Sequence, residues 1–152
     1  MKKFLIVILS LGVFGCDDRD ENGDNGGDGD GNDISVEEYF SHNISNQVAY
    51  YFFEHVLIGN EQIDDTDWVA AFKGDICVGA QQWTCEGSCE VPIYGEYSLN
   101  EDTEGYMLPG EFPSFKIYDS SDDVYYDANP SGQFPWQDGL MPVIDSLDAQ
   151  IE

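Results

Sequence analysis

Basic residues are scarce in this 152-residue chain: 5 lysines and arginines stand against 31 aspartates and glutamates. A surface so short of cations repels phosphate backbones and anionic headgroups, which argues against nucleic acid as a partner and against docking of the folded domain on a membrane surface. Histidine is limited to His42 and His55, and neither sits beside a nucleophile elbow of the kind a Ser-His-carboxylate hydrolase needs. There is no phosphate-cradling glycine loop and no dinucleotide fingerprint. No window of ten or more residues has a 3.6-residue apolar period, which excludes a helical bundle. Nor does any apolar run approach the roughly 20 residues that cross a bilayer. With these classes removed, the sequence reads as a non-enzymatic, acidic, β-rich chain without a nucleotide or redox cofactor.

The first sixteen residues carry an address. Lys2 and Lys3 precede an apolar run from Phe4 to Leu11, and Val13-Phe14-Gly15-Cys16 closes it before Asp17 and Asp18. That is the three-part order of a cleaved secretory signal. Gly15 directly before Cys16 resembles the lipobox of bacterial lipoproteins, with Val13 where Leu is usual. The resemblance implies removal of residues 1–15 and diacylation of Cys16, and two acyl chains hold a protein to a membrane stably. The expected location is membrane-anchored, outside the cytoplasm. Asp17 after the anchor resembles a retention signal at the inner membrane in some bacteria and a surface-export signal in others, so the periplasmic face and the cell surface both stay open.

Residues 16–33 are then the lipidated cysteine and its tether. From Asp17 to Asp33 the chain contains only Asp, Glu, Asn, Gly and Arg19, so nothing there can join a core. Seventeen such residues span roughly 20–25 Å as a coil and at most about 60 Å when extended. Asp18, Asp20, Asn22, Gly23 and Asp24 match the first half of a calcium loop, but Gly29 stands where the loop closes with Glu. Calcium is the ion this partial loop brings into question. Removing the signal leaves Arg19, Lys73 and Lys116 against all 31 acids, which are spread along the chain as a solubilising surface would be.

Residues 34–152 suffice for one domain. Ser35 three residues before Glu38 forms a capping box for a short helical turn. After it the pattern becomes β: Gln47–Ile58 alternates with both faces apolar, as in a strand covered on two sides. Trp68–Phe72 and Ile76–Ala80 flank Lys73-Gly74-Asp75 as a hairpin. Further strands are predicted at Val91–Tyr94, Ser114–Tyr118, Val124–Tyr126 and near Val143. Many short strands joined by Gly-, Asp- and Pro-rich turns predict an all-β domain, a single β-sandwich of jelly-roll or Ig-like type.

The series Asn46-Gln47 to Phe53, Asp67-Trp68-Val69-Ala70-Ala71-Phe72-Lys73-Gly74-Asp75-Ile76-Cys77-Val78-Gly79-Ala80, Gly105-Tyr106, Gly110 and Pro113–Asp119 resembles a recurrent β-sandwich module. Modules with this "DW-AAF-GD-CVGA" core occur in secreted and cell-surface proteins of marine and Bacteroidetes-like bacteria. The likeness spans about Phe40 to Trp136 and implies a fold and a surface setting, with no particular activity. Ile93–Tyr97 departs from the more acidic, glycine-rich turn expected there.

Of the three cysteines left after Cys16, Cys85 and Cys89 bracket a short turn and are expected to pair. Cys77 is then a small buried hydrophobe. Two distant histidines and three thiols make a poor zinc set. Binding is what remains, and exposed aromatics on a sandwich stack on sugars or anchor proteins. Trp83 and Trp136, with Tyr94 and Tyr97, are the candidate ligand-binding rings, carried on loops at 83–89 and 129–140, and Trp136 is expected to be exposed. The function predicted is a surface-anchored lipoprotein binding a carbohydrate or protein partner. The alternatives are an architectural component of the envelope or an extracellular assembly, and a glycoside-active enzyme built on facing carboxylates.

Overall fold

The longest apolar alternation forms the longest strand, β1, Val48–Ile58. The computed structural model describes residues 34–85 and 89–151. The signal segment, Cys16, the tether and the partial calcium loop at Asp18, Asp20, Asn22 and Asp24 lie outside the described residues. Within them follow β2 (Glu61–Gln62), β3 (Trp68–Lys73), β4 (Ile76–Gln82), β5 (Cys89–Tyr94), β6 (Ser114–Asp119), β7 (Val124–Pro130) and β8 (Val143–Ala149). One helical turn, α1 (Val36–Tyr39), precedes β1, and its Ser35 cap accepts the Glu38 N–H at 3.3 Å, as the capping box predicts.

These strands make one curled mixed sheet in the order β2-β1-β8-β7-β6-β3-β4, with β5 also on β1. The domain is all-β and sandwich-like, as expected. Every pairing is antiparallel except β1 with β8, which joins the first strand to the last in parallel. Curling brings β4 against β5: a Cβ on Gly79 would overlap the Pro92 carbonyl oxygen, so only glycine permits this approach of two strand edges.

The concave side encloses one core that includes Tyr51, Phe53, Val69, Val78, Val91, Ile93, Phe115, Ile117, Trp136 and Leu147. A smaller apolar layer lies on the outer face of β3 and β4, where Ala70, Phe72 and Cys77 pack under Phe40 from the end of α1. The pairing of Ala71 with Gly79 and of Phe72 with Cys77 leaves Val78 as an extra residue. That bulge turns Cys77 to the outer layer and Val78 to the core.

Two expectations are corrected. The strand covered on two sides is β3, where Val69 to Phe72 are all buried. In β1 only the face of Ala49, Tyr51 and Phe53 is sealed, and Tyr50 is 37 % exposed. The reason lies in α1, which covers the outer face of β3 and β4 and does not extend over β1. Trp136, expected to be an exposed ring, is 1 % exposed. Its indole N–H donates to the Ile93 carbonyl at 2.9 Å, and its ring lies against Gly95, where a Cβ would overlap it. Glycine at 95 builds the socket.

Along β1 the buried side changes register. Ala49, Tyr51 and Phe53 face the core, and then Val56 does. In β8 the partners of Phe53 and Val56, Ile144 and Leu147, are buried too, so both strands switch faces at one level while staying paired. Glu54 and His55 are thereby turned to solvent. No helix among the described residues is long and apolar enough to cross a membrane.

Two outcomes follow from this packing. Trp136→Ala is expected to lose roughly 3–5 kcal/mol in urea denaturation, because the Gly95 socket cannot collapse to fill the void. Burial pushes the Tyr51 phenol up to about 12. Its neutral form is favoured by the fold, so stability present below about pH 10, the ordinary phenol value, is lost as pH rises through 12. Denaturation midpoints should fall between pH 9 and 12, and less steeply in Tyr51→Phe.

Candidate functional site

Strand β1 is too long for any one partner on its free edge. There β5 pairs with Val48 to Phe53 and β2 pairs with Leu57 and Ile58. Glu54 and His55 pair with neither, and they coincide with the switch of faces. A groove of about 550 Å³ opens at this level, lined by Glu54, His55, Gln62, Ile63, Asp65, Trp83 and Cys85.

Each wall has a local cause. The Gly59-Asn60 turn, with φ of 57° and 74°, has the two left-handed residues of a tight hairpin, which returns β2 along β1. The Ile63 N–H donates to the Val56 carbonyl at 3.1 Å and keeps the chain beside β1 after β2 ends. The next loop is fixed by Asp67, a carboxylate only 4 % exposed. One of its oxygens accepts the Asp64 N–H at 2.8 Å; the other accepts the Ser120 N–H at 2.9 Å and the Ser120 hydroxyl at 3.0 Å. Buried carboxylates are stable only when so satisfied. The Asp67 carbonyl then accepts the Trp83 N–H at 2.8 Å, which ties the far wall to the near one.

Trp83 and Ile63, 6 % and 8 % exposed, form the apolar floor. Glu54, His55, Gln62 and Asp65 form a solvent-exposed polar rim. The indole N–H of Trp83 has no acceptor among the described residues. Trp83 lines the groove at this level. Cys85 and Cys89 pair as expected, with Cα atoms 5.9 Å apart, and fasten the end of the Trp83 segment to the start of β5.

The other expected rings do not join this site. Trp83 leads into the start of β5, while Trp136 packs at Ile93 and Gly95 at its far end, roughly 20 Å along the strand. The loops at 83–89 and 129–140 therefore do not converge through these two rings. Tyr94 is half-buried, lies against the core and stacks on His42 with centroids 5.6 Å apart; burial raises its phenol above the ordinary value. The Tyr97 N–H donates to Thr103 Oγ1 at 3.0 Å, and its ring is half-buried. Sequence reasoning missed Glu54, His55, Gln62 and Asp65, although two polar residues in the middle of an apolar strand, and Gly59-Asn60 after it, were readable signals.

A second hollow of about 260 Å³ beyond β2 is acidic, with Glu61, Asp64, Asp67, Asp119 and Asp122 on its walls. Asp119 Oδ1 already accepts from the Ser121 N–H and hydroxyl, at 2.9 and 2.7 Å. Among the described residues no three His, Cys, Asp or Glu side chains converge on a metal position. The thiol of Cys77, buried and unpaired, donates to the Phe40 carbonyl at 3.4 Å, and burial pushes it up to about 11.

The groove's electrostatics are set by shortage. The domain's two lysines are both engaged: Lys73 with Glu111 at 2.8 Å and the Tyr106 carbonyl at 2.9 Å, Lys116 with Asp127. The Lys73 ammonium holds the Glu111 carboxyl below the usual carboxylate range. No family model, curated protein or solved structure matches the chain.

Replacing Cys85 and Cys89 with serine is expected to lower global stability by only about 2 kcal/mol, because the loop they close is short. Thermal unfolding with and without reductant measures this; a loss approaching that of Trp136→Ala would mean that the disulfide holds the core and not the groove wall.

Proposed function

We propose that this chain is a non-catalytic lipoprotein, fastened by acyl chains on Cys16 outside the cytoplasm, whose β domain binds a carbohydrate or protein partner. The tether of 17 residues after Cys16 is long enough to lift the domain clear of the headgroups. The disulfide between Cys85 and Cys89 supports an oxidising compartment.

The observation that carries the binding role is the groove at the interrupted edge of β1. It combines an apolar floor with several convergent polar groups, held on strands and on a loop tied at both ends, which is the composition of small-ligand sites. Glycoside cleavage is the less supported reading. Glu54 and Asp65 share the groove, but both are solvent-exposed, whereas a general acid for that reaction sits in a desolvated pocket.

An architectural role has one observation in its favour. Phe112 and Phe134, 56 % and 38 % exposed, line a shallow apolar depression together with Pro113 and Pro130. Exposed rings of this kind mark contact surfaces between proteins.

Cys16→Ser should move the protein from the membrane fraction to the soluble fraction, and mass spectrometry of the wild type should find an acylated Cys16 as its first residue. An intact Met1 would remove the anchor. On glycan and protein arrays, Glu54→Ala/Asp65→Ala should lose the wild-type signal while Phe112→Ala/Phe134→Ala keeps it. The reverse pattern would favour the architectural role.

A further inference from the structure

We infer that Tyr118 and Tyr125 form an oxidative modification site, at which one-electron oxidation of each phenol joins the two rings by a carbon–carbon bond. Backbone register brings the rings together. Tyr118 of β6 lies directly opposite Tyr125 of β7, and both pack on the outer apolar layer of the sheet. Their ring centroids are 4.7 Å apart, near the closest approach of packed aromatic rings, so ring carbons of the two are already in contact. Tyr39 of α1 packs on Tyr125 as well, at 4.6 Å. Tyr118 and Tyr125 are half-buried and open to an oxidant in solution, whereas the Cys77 thiol in the same layer is buried.

A phenol becomes a strong acid when it loses an electron, so its oxidation is easiest where a base stands ready for the proton. Tyr118 has that base: its hydroxyl donates to Asp123 Oδ1 at 2.9 Å. The Tyr51 hydroxyl, by contrast, donates to the Phe134 carbonyl, which does not take up a proton. The reaction balances with hydrogen peroxide as the oxidant, delivered in single-electron steps by a haem peroxidase. Each phenol gives up one electron and its hydroxyl proton, that of Tyr118 to Asp123 and on to water, that of Tyr125 to water. One peroxide accepts both electrons and both protons and leaves as two waters. The two radicals join at the ring carbons beside the oxygens, and the hydrogens on those carbons move to the oxygens, which restores both phenols. The product has lost two hydrogens.

The test treats dilute full-length protein in detergent with hydrogen peroxide and a haem peroxidase. A monomer lighter by two hydrogens, with dityrosine fluorescence, is expected. Cleavage at Asp119, Asp122 and Asp123 separates the two tyrosines in sequence, so their peptides should stay linked only in the oxidised protein. Tyr118→Phe and Tyr125→Phe should each abolish this link. Asp123→Asn isolates the proton step: Asn tolerates the left-handed φ of 56° at this position and still accepts the hydroxyl, but it takes no proton. Near pH 7 this variant should couple on the order of tenfold more slowly, the loss of one charge-assisted hydrogen bond. The other titratable groups around the pair are Glu37 and Tyr39 from α1, with Lys116 and Asp127 paired to each other one step along the ladder. The variant leaves these in place, and its deficit should close as pH rises through about 10, where a phenolate needs no base. A link between Tyr39 and Tyr125, links only between molecules, or oxidised Trp68 without dityrosine would overturn the site. An unchanged rate in Asp123→Asn would overturn the role of its carboxylate.

Discussion

The partition of β1 between its neighbours is the constraint on which the rest depends. One edge of this 11-residue strand pairs in parallel with β8, which closes the chain's last segment onto its first. The other edge is divided: β5 takes the first six residues and β2 takes the last two. An undivided edge would have paired the backbone of Glu54 and His55 with a neighbour. Division leaves a gap, and the simultaneous change of faces in β1 and β8 turns polar residues into it without opening the core.

Around that gap the architecture is conservative in energy. The buried carboxylate of Asp67 is saturated by two backbone amides and a hydroxyl, so it organises the Asp64–Asp67 turn without a desolvation debt. Its carbonyl fixes Trp83. The disulfide then holds the following residues to β5, and Gly79 allows β4 and β5 to approach on the same side of the molecule. The groove is thus carried by paired strands and tied loops.

Much of the fold was legible because local chemistry and tertiary position agree. Trp68 to Phe72 and Cys77 to Ala80 read as strands since β3 is buried on both faces and β4 nearly so, and Gly74, at φ 58°, marks their turn. Ser35 and Glu38 announced α1. The short pairing of β2 was missed because two polar residues carry no apolar alternation; Gly59-Asn60 was its only trace. The parallel pairing of β1 with β8 spans about ninety residues and leaves no local mark at all. Trp136 was misplaced for a related reason: the Pro- and Gly-rich residues around it describe a loop, whereas its burial depends on the missing side chain of Gly95, far away in sequence. Of the candidate rings only Trp83 reached the groove, and its polar companions come from β1, β2 and the loop that follows.

Native-state hydrogen exchange along β1 tests the divided edge most directly. Amides of Ala49 to Phe53 and of Val56 to Ile58 should include the slowest in the domain, with at least one of the Glu54 and His55 amides exchanging orders of magnitude faster. Uniformly slow exchange from Val48 to Ile58 would mean that the edge is continuously covered, and the groove would have no place in the fold.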